Sequence, residues 1–261
     1  MMMRGYRNYH IVKWLLVVIL LTTILILSVC ACGTTPSTTL VPITFHNVSI
    51  EDVIREAIDK PEGPIYTSDL EPLTKLLVLW KGVSDLTGLE YCMNLQELYL
   101  EDNGISDISP LAGLNNLEVI GLASNNISDV SPLAGLINLK VLVLDGNNIS
   151  DISSLAGLSN LETLVLNGNN ISDISALASL SNLQVLHLAV NNISNISSLA
   201  GLSNLRWLAL PGNNVSDISA LVENVEFSDG DTVYLAVNPL SMESINNYIP
   251  QLQARGVIIS Y

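Results

Sequence analysis

The sequence is poor in charge, in basic residues, in aromatics and in cysteine, and each shortage excludes something. Charged residues make up 13% of the 261, against about 25% in an average soluble domain. Lysine and arginine number 10 against 25 acids, a formal net charge of −15. A chain of that sign repels phosphate backbones, which excludes a nucleic-acid binder. Aromatics account for only 5%, so branched aliphatics must build the core, and their abundance excludes a disordered chain. Of the three cysteines, Cys30 and Cys32 lie close to the N-terminus and Cys92 stands alone. No disulfide framework can form in the remainder.

What is present begins with an address. Residues 1–13 hold Arg4, Arg7, His10 and Lys13 without an acid, and Trp14 to Val29 then run apolar or hydroxyl (WLLVVILLTTILILSV). A basic stretch before an apolar one predicts a secretory signal. The run of 16 residues is shorter than the ~20 of a comfortable membrane span. Its end, Val29-Cys30-Ala31-Cys32-Gly33, resembles a bacterial lipobox, with small Ala31 before the cysteine and aliphatic Val29 three positions upstream of it. Cleavage before Cys30 would instead leave bulky Val29 at the cut. The resemblance implies a lipoprotein signal peptide over residues 1–31, lipidation of Cys32 and stable attachment to a membrane. Loss of Arg4, Arg7 and Lys13 leaves 7 basic residues against 25 acids, a net charge of −18. Residues 32–47 follow as a tether, in which Gly33 to Pro42 (GTTPSTTLVP) spans at most ~35 Å when fully extended.

A strict 22-residue period then starts at Leu95, Leu117, Leu139, Leu161, Leu183 and Leu205. One copy reads LKVLVLDGNNISDISSLAGLSN, and relative positions 1, 4, 6, 11, 14 and 17 are Leu, Ile or Val in all six, as is position 20 in the first five, with Asn224 there in the sixth. Position 9 is always asparagine: Asn103, Asn125, Asn147, Asn169, Asn191 and Asn213. A degenerate copy precedes them from Leu73, with Lys81 in the asparagine position and Cys92 in a leucine position, where a small buried core residue is expected. Alternation at Leu98-Tyr99-Leu100 predicts a short strand. The asparagine turns the chain, and its amide can bond backbone groups that the turn leaves unpaired. Stacked copies then form an asparagine ladder. Spacing of three through Ile105, Ile108 and Leu111 predicts a 3-10-like return segment. One repeat buries too little to offset the ordering of its own backbone, so only stacking makes the array stable.

The LxxLxLxxN pattern resembles the leucine-rich repeat, and the wording NNISDISPLAGLSNL resembles its bacterial internalin-type subclass. The resemblance covers the chain from about Val48 to the C-terminus. It implies an α/β solenoid, a leucine-rich-repeat horseshoe with a parallel concave sheet, 3-10-like convex segments and a helical cap at each end. The N-terminal cap is predicted over 48–72, with Ser49 capping a helix that carries Ile50, Val53, Ile54, Ala57 and Ile58, and with Val48 stapled on Val53. One degenerate and six regular repeats occupy 73–226. A divergent last repeat (VYLAVNPL, with Asn238 in the asparagine role) and a C-terminal cap fill 227–261. There Ile245, Tyr248, Ile249 and Leu252 mark a helix kinked or ended near Pro250 and stopped at Gly256. Val257 to Ser260 form a final strand.

Function is sought on the strand positions that point away from the core. Tyr99, Val119, Val141, Val143, Val165, Val185, His187, Trp207 and Tyr234 make an apolar stripe edged by aromatics, the chemistry of a protein-binding surface. Glu97, Glu101, Asp102 and Asp145 cluster toward its N-terminal half and suit a partner with basic groups. A second row, Asp107, Asp129, Asp151, Asp173 and Asp217 with Asn195 interrupting it, invites comparison with a calcium site. Each of these residues precedes a serine that it can cap, however, and one row of carboxylates seldom completes an oxygen shell, so no metal is expected. The N-x-S sequons at Asn126, Asn148, Asn170, Asn192, Asn195 and Asn214 recur because the repeat recurs. His46 and His187 stand apart from any nucleophile, and phosphate loops, paired-cysteine sites and nucleophile elbows are missing. The sequence therefore predicts a monomeric, non-enzymatic module that needs no cofactor. It is held at the cell envelope by a lipid anchor and binds a protein on its concave face. A scaffold or spacer, or a glycan-binding adhesin, is the alternative.

Overall fold

The computed structural model describes residues 41–261, so the signal segment and Cys32 lie outside the described residues. Each repeat contributes one three-residue strand: β1 Lys75–Leu77, β2 Glu97–Tyr99, β3 Val119–Gly121, β4 Val141–Val143, β5 Thr163–Val165, β6 Val185–His187 and β7 Trp207–Ala209. The divergent repeat adds β8, Thr232–Tyr234, and the C-terminal end adds β9, Ile258–Ser260. All nine pair in parallel and in chain order as one open sheet. Register follows from the period, since residues 22 apart face each other, as in Val119↔Val141 and Thr163↔Val185. The central residue of each of β1–β8, such as Leu98, Leu142 or Leu208, is buried in the core. Those segments are 3-10 turns at Ser109–Leu111, Ser131–Leu133, Ser153–Gly157, Ser175–Ser179 and Ser197–Leu199. The last regular repeat widens into a short α-helix, Ser219–Glu223.

The asparagines at position 9 connect the copies. Asn125 accepts from the Ile105 N–H of the preceding repeat (3.0 Å) and donates to the carbonyls of Leu100 and Leu122 (3.0 and 3.1 Å). Asn147, Asn169, Asn191 and Asn213 repeat this arrangement, and Asn238 closes the row on Val215 and Leu210. A second ladder runs along the opposite edge, one residue ahead of each repeat. Asn94, Asn116, Asn138, Asn160, Asn182 and Asn204 each donate to a carbonyl 23 residues earlier, at 2.7–2.9 Å.

The caps differ from the sequence reading in three places. Asn47, not Ser49, caps α1 (Val48–Ala57): its side chain accepts from the N–H groups of Ser49 and Ile50, and Val48 lies in the first turn, too exposed to staple. Ile50 and Ile54 are the residues that α1 buries. The tether ends earlier than 47, because Ile43 pairs with Ile65 and Phe45 is buried over Gly88, whose φ of +103° leaves no room for a Cβ beneath the ring. Pro250 neither ends nor breaks the C-terminal helix. The preceding turn widens to a π-helical Ser244–Tyr248, which absorbs the hydrogen bond that proline cannot make, and α-helix continues over Ile249–Ala254.

Candidate functional site

On each strand the residues flanking the buried centre form the concave surface. Two rows result. One runs Glu97, Val119, Val141, Thr163, Val185, Trp207, and the other runs Tyr99, Gly121, Val143, Val165, His187, Ala209, Tyr234. Neighbours in a row stand ~4.8 Å apart, the spacing of paired strands. Most of the stripe is half-buried rather than open. Val165 is a correction to the sequence reading: at 5% exposure it is buried, because Val143 and the His187 imidazole flank it and close over so small a side chain. Val141, Val143 and Val185 keep part of their surface in solvent.

The two halves of the surface have different chemistry. Toward the C-terminus, His187 stacks on Trp207 with ring centroids 6.3 Å apart and planes 8° from parallel, and Tyr234 tilts against Trp207 at 5.2 Å. Burial pushes the His187 imidazole down to about 4, so it is neutral at pH 7 and behaves as a third aromatic ring. Toward the N-terminus, Lys75 lies 2.7 Å from Glu97 and 5.2 Å over the ring of Tyr99, whose hydroxyl donates to Glu97. Burial, with Glu97 beside it, raises the Tyr99 hydroxyl above its ordinary range. The Glu101 carboxylate occupies the space over Gly121.

Two members of the acidic cluster expected from the sequence have partners within the fold. Lys75 neutralises Glu97, and Asp145 accepts from both the backbone and the amide of Asn167 (2.8 and 3.1 Å). Along the convex side, Asp107, Asp129, Asp151, Asp173 and Asp217 each accept from the N–H of the serine two residues on at 2.8 Å, and Asn195 does the same at 2.9 Å. These bonds hold the carboxyls of Asp129, Asp151 and Asp173 below the usual carboxylate range. Cys92 is fully buried, and its surroundings push the thiol up to about 12.

One set of exposed residues escaped the sequence reading. The position before each ladder asparagine, or before Lys81 in the degenerate copy, is left-handed: Trp80, Asp102, Ser124, Gly146, Gly168, Val190, Gly212 and Val237 have φ between 54° and 67°. Three glycines in this column are the signal that could have revealed it. Trp80, Val190 and Val237 are there despite the steric cost, and all three are exposed.

Residues 94–135 and 137–179 match the family model described as Leucine Rich repeats (2 copies), and residues 172–215 match the Leucine rich repeat model. No curated protein matches the sequence. Among solved structures, the chain is similar to an internalin from Listeria monocytogenes, at 26% identity over 85% of this chain and 74% of that one, with a TM-score of 0.65. It is similar to internalin C2 of the same organism, at 34% identity over 74% of this chain and 97% of that one, with a TM-score of 0.59. The third is the leucine-rich-repeat ectodomain of a plant membrane receptor kinase from Arabidopsis thaliana, solved in complex with Casparian strip integrity factor 2. It is 26% identical over 68% of this chain and 23% of that one, with a TM-score of 0.56. Register, ladders and these likenesses agree, and the chain belongs to the leucine-rich-repeat proteins, with internalin-like repeats.

Proposed function

We propose that the protein is a non-enzymatic binding module, anchored by lipid at Cys32 to the outside of a cell envelope, that takes a protein partner on its concave face as a monomer. Leucine-rich-repeat proteins generally mediate protein–protein interaction, and the plant ectodomain above was solved in complex with Casparian strip integrity factor 2. The observation that carries the reading is the paired chemistry of the concave rows: Val141, Val143 and Val185 keep apolar surface in solvent beside the stacked His187, Trp207 and Tyr234. Aromatic and aliphatic anchors of this kind are where binding energy concentrates in protein interfaces. The ion pair of Lys75 with Glu97 takes one member of the acidic cluster, so the apolar rows rather than the acids are the main contact surface in this reading. Among the described residues no helix is long and apolar enough to cross a membrane, and the lipid at Cys32 is the attachment that the lipobox-like Val29 to Gly33 supports.

The test is capture of partners from envelope and culture-supernatant fractions by the parent chain and by a Val143→Asp, Trp207→Ala variant, with folding of both verified by circular dichroism. A partner retained by the parent and lost by the variant supports the concave site. Identical capture by both refutes it and leaves the spacer reading. Loss of membrane association in Cys32→Ala tests the anchor.

A further inference from the structure

We propose that Trp80, with Lys81 and Val48, is a membrane-interfacial foot that rests in the headgroup region of the bilayer to which the chain is anchored. The proposal rests on the lipid-anchor reading. The Trp80 backbone N–H donates to Glu101 as part of the repeat, but its side chain is 70% exposed, and its φ of 54° imposes the left-handed conformation on a bulky residue. That conformation is sterically unfavourable for a residue with a Cβ, and most of the indole lies in solvent. Val190 and Val237 share the conformation, yet only Trp80 lies on the edge where the chain enters the fold. The entering chain runs from Ile43, bridged to Ile65, through Phe45 over Gly88 and His46 beside Asp85, to Ser49, whose hydroxyl reaches the Lys81 carbonyl at 3.5 Å. Val48, also exposed, is thereby set next to the Trp80-Lys81 turn.

The ten-residue tether from Gly33 to Pro42 reaches at most ~35 Å when extended, a length that permits the edge carrying Trp80 to come down on the bilayer. Indole has an apolar body and one polar N–H, and it settles at the bilayer–water interface. Lys81 is exposed, and among the described residues no ion pair holds its ammonium. Its stem can lie along apolar surface while the charge meets phosphate. Because the mature chain is acidic, the contact is carried by the indole and the valine rather than by net charge.

The experiment uses the full lipidated chain carrying Trp207→Phe, reconstituted in phosphatidylcholine vesicles, with a Trp80→Phe, Trp207→Phe partner subtracted to isolate Trp80 emission. The proposal predicts a blue shift of that emission, quenching by acyl-brominated phosphatidylcholine and protection from aqueous acrylamide. Co-sedimentation with the vesicles reports the anchor separately. Retained co-sedimentation with unshifted emission and free access of acrylamide overturns the foot alone. Loss of co-sedimentation overturns the anchor and the foot together.

Discussion

Asn147→Ala tests how the repeats are held together. The Asn147 side chain is buried, accepts from Ile127 N–H at 2.9 Å, and donates to Leu122 and Leu144 carbonyls at 3.0 Å each. Truncation does not orphan all three. The Leu122 carbonyl keeps Asn125 and the Leu144 carbonyl keeps Asn169 as donors, whereas Ile127 N–H loses its partner inside the stack. One buried donor left unpaired costs about 1–3 kcal/mol and two lost bonds about 0.5–1.5 each, so the expected loss is about 2–6 kcal/mol. Stability in a solenoid is a sum over repeats and interfaces, so a weak central interface also lets the halves unfold separately. Urea denaturation followed by circular dichroism should show a lower midpoint and a shallower slope. Asn126→Ala, at an exposed residue just after the ladder asparagine of the preceding repeat, should change stability by no more than about 0.5 kcal/mol. Equal midpoints for Asn147→Ala and Asn126→Ala would refute the ladder argument.

Further outcomes follow from the same geometry. His187 is held neutral by burial and titrates near 4 in the folded chain, against about 6.5 when unfolded. The unfolded state binds more protons between those values, so stability falls as pH drops from about 6.5 toward 4, by on the order of 2–3 kcal/mol. The Tm of His187→Gln should lack that part of the slope, and an identical slope in both proteins would contradict it. Asp151→Asn should leave Tm unchanged, because Asn195 already performs the same capping, whereas Asp151→Ala should lower it. Added calcium should move neither, and a calcium-dependent rise would restore the metal reading that the capping bonds argue against. Gly88→Ala drives a Cβ into the Phe45 ring at a φ of +103°, and a loss of more than about 1 kcal/mol is expected in thermal unfolding.

Strand register and return segments were legible because the period is unbroken, so each inward Leu or Ile finds its equivalent one repeat away. The position-9 asparagines were legible for the same reason. The Asn94-to-Asn204 ladder was equally periodic, but an amide on an exposed edge has no chemistry that demands a partner until the neighbouring carbonyl is seen at 2.8 Å. At the N-terminal cap, Asn47 and Ser49 are both good capping residues, and only backbone geometry selects the first. On the concave face, alternation identified which side chains point outward but not how far their neighbours cover them, which is why Val165 reads as exposed in sequence and is buried in the fold. The ion pair from Lys75 to Glu97 joins a degenerate repeat to a regular one, so no repeated motif announces it. The left-handed column was hidden by its variety, since Trp80 and Val190 occupy positions where glycine would be expected.

The most direct test of a concave binding face is site-specific photocrosslinking in the intact envelope. A benzophenone side chain replaces Val143 on the concave sheet in one chain and exposed Ile137, which precedes the second-ladder asparagine Asn138, in another. The account predicts a discrete protein adduct from position 143 and none from position 137. Adducts from 137 alone, or the same adducts from both positions, would contradict it.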